Sequence, residues 1–239
     1  MSKQCAIFAT PSLNHSVTLD FLRSWTNTVW ALNRSGIDHG RIDRGGDCFI
    51  DKARNKLVQQ FLDGKGTDLF FLDDDLGWPS EKVVEFLARP EPILVGVYPK
   101  KMDELDFPVA LDADRSTGEL ITDQGLYLAS FCGSGFLRIK RAVLEHLVTL
   151  VPRFTDIELQ GKTASYPHLF KTGVDDAGWY EGEDVAFFRL ARANGYETWV
   201  DPDIHFKHRG GKTWEGKLSD HLDTFRARAK MAAKTKELT

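Results

Sequence analysis

Residues 67–72 read Thr-Asp-Leu-Phe-Phe-Leu and residues 92–97 read Pro-Ile-Leu-Val-Gly-Val. Apolar runs this short and unbroken are the pattern of strands covered on both faces. Between and around them lie segments of helical spacing, so strand and helix alternate, and parallel neighbours require such crossover connections. The expected fold class is therefore α/β: a layered α/β/α sandwich with a mostly parallel central sheet and a small antiparallel portion.

The flanking segments fill in that frame. Cys5 to Thr10 predicts a first buried strand ending at Pro11 and Ser12. Leu19, Phe21, Leu22, Trp25, Val29 and Leu32 predict a helix that stops at Gly36. Gly40 to Gly46 reads as a loop rich in Gly, Arg and Asp, and Asp51 to Leu62 as a second amphipathic helix. Pro79 and Ser80 open a helix through Leu87. Phe107–Leu111, Glu119–Ile121 and Leu126–Phe131 are short strand candidates for the antiparallel portion, followed by a helix near Lys140–Leu150. Pro152 to Asp176 has no clear period and reads as an irregular acceptor loop. Glu183–Ala193 is helical, Tyr196–Val200 resumes as a strand, and a charged helix begins at Leu218.

At 239 residues, 42% hydrophobic and 28% charged, the chain can bury a real core, which excludes a disordered class. The expectation is one catalytic domain over residues 1–215 and a charged C-terminal helix over 216–239. Lys and Arg number 31 against 35 Asp and Glu, a net charge of -4, so no whole-molecule grip on nucleic acid is expected. Cys5, Cys48 and Cys132 are scattered and odd in number, which points to a reducing compartment. With neither a signal-peptide pattern nor an apolar run of membrane length, the expected location is cytoplasmic.

Three constellations carry chemistry. Asp73, Asp74 and Asp75 directly follow the apolar strand. If extended alternation continues, Asp73 and Asp75 point the same way, two hard oxygen donors suited to Mn2+ or Mg2+. A solvated acidic turn capping the next helix is the bland alternative. Gly178, Trp179, Tyr180, Glu181, Gly182, Glu183 and Asp184 lead into a helix. Glu183 and Asp184 suit a helix start on electrostatic grounds alone, Gly182 permits close approach to a ligand, and Trp179 offers a flat face for a sugar ring. His205 and His208 follow a strand, and His208, beside Gly210 and Gly211, is the better candidate ligand. Two lesser features are Gly133, Ser134, Gly135 and Phe136 after a strand, and Asp51, Arg54 and Asn55 on the second helix, able to meet a base, ribose or phosphate.

In this order the motifs resemble a glycosyltransferase of the GT-A fold, similar to family 2 and galactosyltransferase-like enzymes and to small phage or bacterial forms. The resemblance implies a Rossmann-like domain in which Asp73 and Asp75 form the DxD motif, holding Mn2+ or Mg2+ together with His208 against a nucleotide diphosphate sugar, a UDP-sugar above all. It implies that Thr10, Pro11, Asp51, Arg54, Asp73 and Asp74 line the nucleotide. Trp179, Gly182, Gly135 and Phe136 would surround sugar or acceptor, and Asp184, backed by Glu183, would be the base of an inverting transfer. The spacing between Trp179 and Gly182 is one residue longer than the galactosyltransferase pattern, so the sugar stays open. The acceptor would be a glycan, a small molecule or a hydroxymethylated base in phage DNA. A basic tail could guide DNA or pair two subunits: Lys207, Arg209, Lys212, Lys217, Arg226, Arg228, Lys230, Lys234 and Lys236 outnumber Glu215, Asp220, Asp223 and Glu237. The competing readings are a haloacid dehalogenase-like phosphohydrolase with Asp73 as nucleophile, a sugar nucleotidyltransferase, which would need a glycine-rich basic start, and a non-catalytic nucleotide-sugar binding protein.

Overall fold

The computed structural model describes residues 3–158, 161–175 and 177–237. Asp176, at the end of the expected irregular stretch, and residues 238–239 of the C-terminal segment lie outside the described residues.

The chain runs β1 (Cys5–Ser12), α1 (Leu19–Arg34), β2 (Asp38–Gly45), α2 (Ile50–Asp63), β3 (Asp68–Leu72), β4 (Leu76–Gly77), α3 (Ser80–Ala88) and β5 (Ile93–Gly96). It continues through β6 (Val109–Leu111), β7 (Thr122–Asp123), β8 (Leu126–Cys132), β9 (Phe136–Lys140) and α4 (Arg141–Leu147). Then come β10 (Arg153–Ile157), β11 (Thr163–Pro167), β12 (Gly173–Val174), β13 (Tyr180–Glu181), α5 (Glu183–Ala193) and β14 (Thr198–Asp201). The last elements are β15 (Phe206–Arg209), β16 (Thr213–Gly216) and, after a 3-10 turn over Leu218–His221, α6 (Leu222–Glu237).

The central sheet has the order β2-β1-β3-β9-β5-β14-β8-β6, with β7 on β8. Strands β9 and β8 run against their neighbours and the rest share one direction, so the sheet is mostly parallel in sense. Alternating side chains sort the core into two layers. On β3, Leu69 and Phe71 join Leu57, Val58 and Phe61 of α2 and Phe187 and Phe188 of α5. Phe70 and Leu72 face Phe21 and Leu32 of α1 and Val83, Phe86 and Leu87 of α3. Burial on both faces is why these strands read as unbroken apolar runs.

Local signals mark several boundaries. Thr18 caps α1, its hydroxyl accepting from Phe21 N at 3.2 Å, and Gly36 leaves the helix at φ +66°.

Three expectations are corrected. Residues 40–45, expected as a loop, belong to edge strand β2: backbone pairing with β1 overrides the low strand propensity of Gly and Asp, and an edge tolerates polar side chains. Residues 152–167 hold the antiparallel β10–β11 hairpin, because its strands are half-exposed and mostly polar and so carry no apolar period. Strand β9, missed because Arg138 and Lys140 interrupt its apolar pattern, lies at the centre of the sheet. Arg138 is fully buried there, and its guanidinium donates to the Glu91, Phe86 and Arg89 carbonyls at 2.6, 3.1 and 3.2 Å, satisfying the end of α3.

Candidate active site

The triplet leaves β3 through a tight turn. Asp73 N donates to Gly135 O at 2.9 Å, Leu76 N donates to Asp73 O at 3.3 Å, and the short strand β4 begins at once. The extended alternation that would align Asp73 with Asp75 therefore ends at Asp73, and the two carboxylates meet different partners. Asp73 Oδ1 accepts from Arg54 of α2 at 3.0 Å. Asp75 Oδ1 lies 3.4 Å from His208 Nε2, while Oδ2 pairs with Lys101. Asp74 lies apart: its carbonyl accepts from Thr18 N at 2.9 Å. Burial holds its carboxyl above the ordinary range, although a hydrogen bond from Ser12 opposes this.

A small three-stranded sheet brings the distant imidazole in. In the antiparallel pairing of β15 with β4, His208 stands opposite Leu76, one residue past Asp75. Of the two histidines considered, His208 is in the site; the His205 side chain is 56% exposed and faces Glu215. His208 Nδ1 lies 2.7 Å from Pro99 O, and a carbonyl can only accept, so Nδ1 donates there and Nε2 faces Asp75. Burial works against the charge on Asp75, but His208 and Lys101 outweigh it and hold the carboxyl below its usual value.

Arg54 joins the triplet to the second acidic motif. Its guanidinium is buried, donates to Ser134 Oγ at 2.8 Å and to Asp73, and sets Nε 3.7 Å from Glu183 Oε1, an ion pair without a hydrogen bond. Glu183 and Asp184 form the first turn of α5, where the helix dipole favours negative charge, and Asp184 Oδ1 accepts from Val185 N at 2.8 Å. Burial is the main influence on both carboxyls and holds them above their ordinary values despite Arg54. Gly182 precedes them as the cap; a Cβ there would stand 3.2 Å from Asp184 Oδ1.

Gly135 is the tightest point of the site. An added Cβ would fall 2.4 Å from Asp73 Oδ2 and 2.7 Å from the Tyr98 hydroxyl, so only glycine lets β9 start against the triplet. Tyr98, which ends β5's run, accepts from Gly135 N at 3.2 Å and packs edge-on to His208 at 4.9 Å. Tyr98 and Lys101 belong to the site without having been singled out from sequence. The available signal was position: Tyr98 and Lys101 follow the carboxyl end of a buried parallel strand, where ligands of open α/β sheets bind.

Two expected contacts are corrected. Phe136 is fully buried among Phe70, Trp78, Phe86 and Phe206 and cannot wall a sugar. Asn55 is likewise buried and spends its amide on the backbone, donating to Phe170 O and accepting from Leu169 N and Phe170 N. Asp51 lies in the first turn of α2, accepting from Lys52 N at 2.7 Å. Trp179 is 75% exposed on the β12–β13 hairpin, open to a ligand. Thr10 and Pro11 are buried at the end of β1. Thr10 Oγ1 has no hydrogen-bond partner among the described residues and lines a cleft of about 250 Å³ with Ser12, His15, Arg41 and Asp43.

No family model and no curated protein matches the chain. Among solved structures it is similar to S. aureus TarS 1-349, at 12% identity and a TM-score of 0.43 over 82% of this chain and 57% of that one. GalNAc-T7 solved with UDP, GalNAc and Mn2+ aligns at 11% identity and a TM-score of 0.43, over 86% of this chain and 44% of that one. The inositol-1-phosphate CTP transferase of T. maritima aligns at 8% identity and a TM-score of 0.41, over 95% and 96%. The chain thus spans about half the length of the first two.

The donor set can be tested against a divalent cation on its own chemistry. Among the described residues no group of three or more His, Cys, Asp and Glu side chains stands ready-made around one point. Asp75 Oδ1 and His208 Nε2 nevertheless face each other closely enough to share an ion, with the imidazole oriented through its other nitrogen. One oxygen and one nitrogen donor, completed by water and phosphate oxygens, fit Mn2+ or Mg2+. Among the described residues no helix is long and apolar enough to cross a membrane.

Proposed function

We propose that this chain is a glycosyltransferase that moves a sugar from a nucleotide diphosphate sugar, a UDP-sugar, to an acceptor hydroxyl with inversion. The observation that carries the reading is the convergence, through Arg54, of two acidic motifs far apart in sequence: the triplet with its Asp75–His208 pair, and the Glu183–Asp184 helix start.

In this reading Thr10 and the cleft at the ends of β1 and β2 receive the nucleoside, with Asp74 at its border. Asp75 and His208 would hold the divalent cation, which would offset charge gathering on the leaving diphosphate. Arg54 holds Asp73 and Glu183 in place, and its own charge stays inside the protein. Asp184 takes the proton of the acceptor hydroxyl; a carboxyl pushed up by burial is a stronger base than a solvated one. Trp179 offers its exposed ring to the acceptor. The catalytic unit would be residues 1–215 with Leu218 and Leu222 of the C-terminal segment completing its core, working in the cytoplasm, a setting that suits three free cysteines. The acceptor would be a glycan, a small molecule or a hydroxymethylated DNA base, the last tested by gel shift across a salt series.

A thermal-shift panel of nucleotide sugars with and without Mn2+ tests the reading, since a ligand of the folded state raises apparent stability. Metal-dependent stabilisation by one donor, followed by release of its nucleotide when acceptors are supplied, is the expected result. Stabilisation without nucleotide release under any acceptor would instead favour a binding protein.

A further inference from the structure

The segment leaving β5 touches the site three times. Pro99 O accepts from His208 Nδ1 at 2.7 Å, Lys101 Nζ pairs with Asp75 Oδ2, and Asp103 accepts from Lys212 of the β15–β16 turn at 2.6 Å. The Lys101 stem crosses the face of Gly210, where an added Cβ would lie 3.1 Å from its Cδ and 2.9 Å from the Trp214 ring. One carboxylate thus faces an imidazole with one oxygen and an internal ammonium with the other.

An ammonium and a divalent cation compete for the same carboxylate, since each needs its negative charge and the two repel. A lysine displaced from Asp75 keeps its charge on a flexible four-carbon stem, within reach of an anion bound at the same cation. With the site read as above, that anion is the donor diphosphate. We propose that Lys101 is a further binding residue of this site: it neutralises Asp75 while no cation is bound, and turns its ammonium to the diphosphate once a divalent cation holds Asp75.

The proposal rests on the metal reading of Asp75 and His208, and its test separates the two. Calorimetry would measure binding of Mn2+ alone, and then of UDP at saturating Mn2+, to the full chain and to Lys101→Met, Lys101→Arg, Asp75→Asn and His208→Ala. Lys101→Met is expected to bind Mn2+ about ten-fold tighter, because a nearby like charge is gone, and UDP about ten-fold more weakly, because a charge-assisted contact is lost. Lys101→Arg should keep the UDP affinity. General damage to the fold would weaken both ligands, so the opposed signs are diagnostic. Unchanged or weaker Mn2+ binding by Lys101→Met, or unchanged UDP binding, overturns the proposal while leaving the metal site standing. Undiminished Mn2+ binding by both Asp75→Asn and His208→Ala overturns the metal reading and the proposal with it.

Discussion

The carboxylates of the site differ in their surroundings. Asp73 has Arg54, Asp75 has His208 and Lys101, and Glu183 has Arg54 at longer range, while Asp184 is held up chiefly by burial. Asp184→Asn is expected to lower transfer by about 100-fold or more, the span of a lost general base, with UDP binding unchanged by calorimetry. Because the Asp184 carboxyl titrates above the ordinary aspartate value of 3.8, the acid limb of kcat/KM should lie above that value; retained turnover in the variant, with the limb in place, would remove Asp184 as the base. Gly135→Ala drives a methyl into Asp73 and Tyr98. It should cost about 1–3 kcal/mol in urea unfolding, as overpacking does, and weaken UDP binding more than a change at an exposed loop residue such as Lys65→Ala.

The β10–β11 hairpin shows how an element without an apolar stripe is held. Lys56 of α2, nearly buried, reaches Asp156 Oδ2 at 2.5 Å and Glu158 Oε1 at 2.8 Å, and Arg44 at the end of β2 adds 3.0 Å to Glu158 Oε2. Hydrogen bonding from Lys56 brings Asp156 down to about 2. Glu158 reaches about 2 as well, because Lys56, Tyr166 and Arg44 outweigh its burial. Carboxyls depressed in the folded state contribute stability above their unfolded values and lose it as pH falls toward the folded ones. Hydrogen exchange should therefore show the hairpin amides opening between about pH 4 and pH 2, before the strands of the central sheet. Lys56→Met removes one partner from each acid, leaving Asp156 with Lys52 and Glu158 with Arg44 and Tyr166, and should cost about 1.5–3 kcal/mol in urea unfolding at neutral pH; a loss under 1 kcal/mol would show the network to be solvated.

At the scale of the molecule, α6 covers the domain. Leu218 and Leu222 sit in the larger core layer with Phe225 against it, Arg226 donates to the Tyr127 hydroxyl at 3.2 Å, and Lys230 pairs with Glu119 at 2.9 Å. Leu222→Ala should cost about 2–5 kcal/mol by leaving a cavity. Removing residues 217–239 should lower the thermal midpoint further, in the absence of any ligand. An unchanged midpoint on truncation would show that the helix is dispensable to the fold.

Periodicity alone located β1, β3 and β5, the helices that flank them and the helix start at Glu183, because double-sided burial and 3.6-residue spacing are written in local composition. Residue type and position after those elements marked the acidic triplet, the second acidic pair and His208 as candidates. What neither could contain was partnership. Arg54 reads from sequence as a nucleotide contact on an amphipathic helix, and only the packing of α2 beneath the sheet spends its guanidinium, buried, between Asp73 and Glu183. Strand β9 hid behind Arg138, whose burial is offset by three carbonyls at and just past the end of α3 and by Asp68 at 3.7 Å. Lys101 carries only the signal of its position past the end of β5, and its meaning comes from a carboxylate that the turn after β3 places beside it. Local spacing encodes elements, but charges acquire roles from neighbours that the chain reaches only by folding.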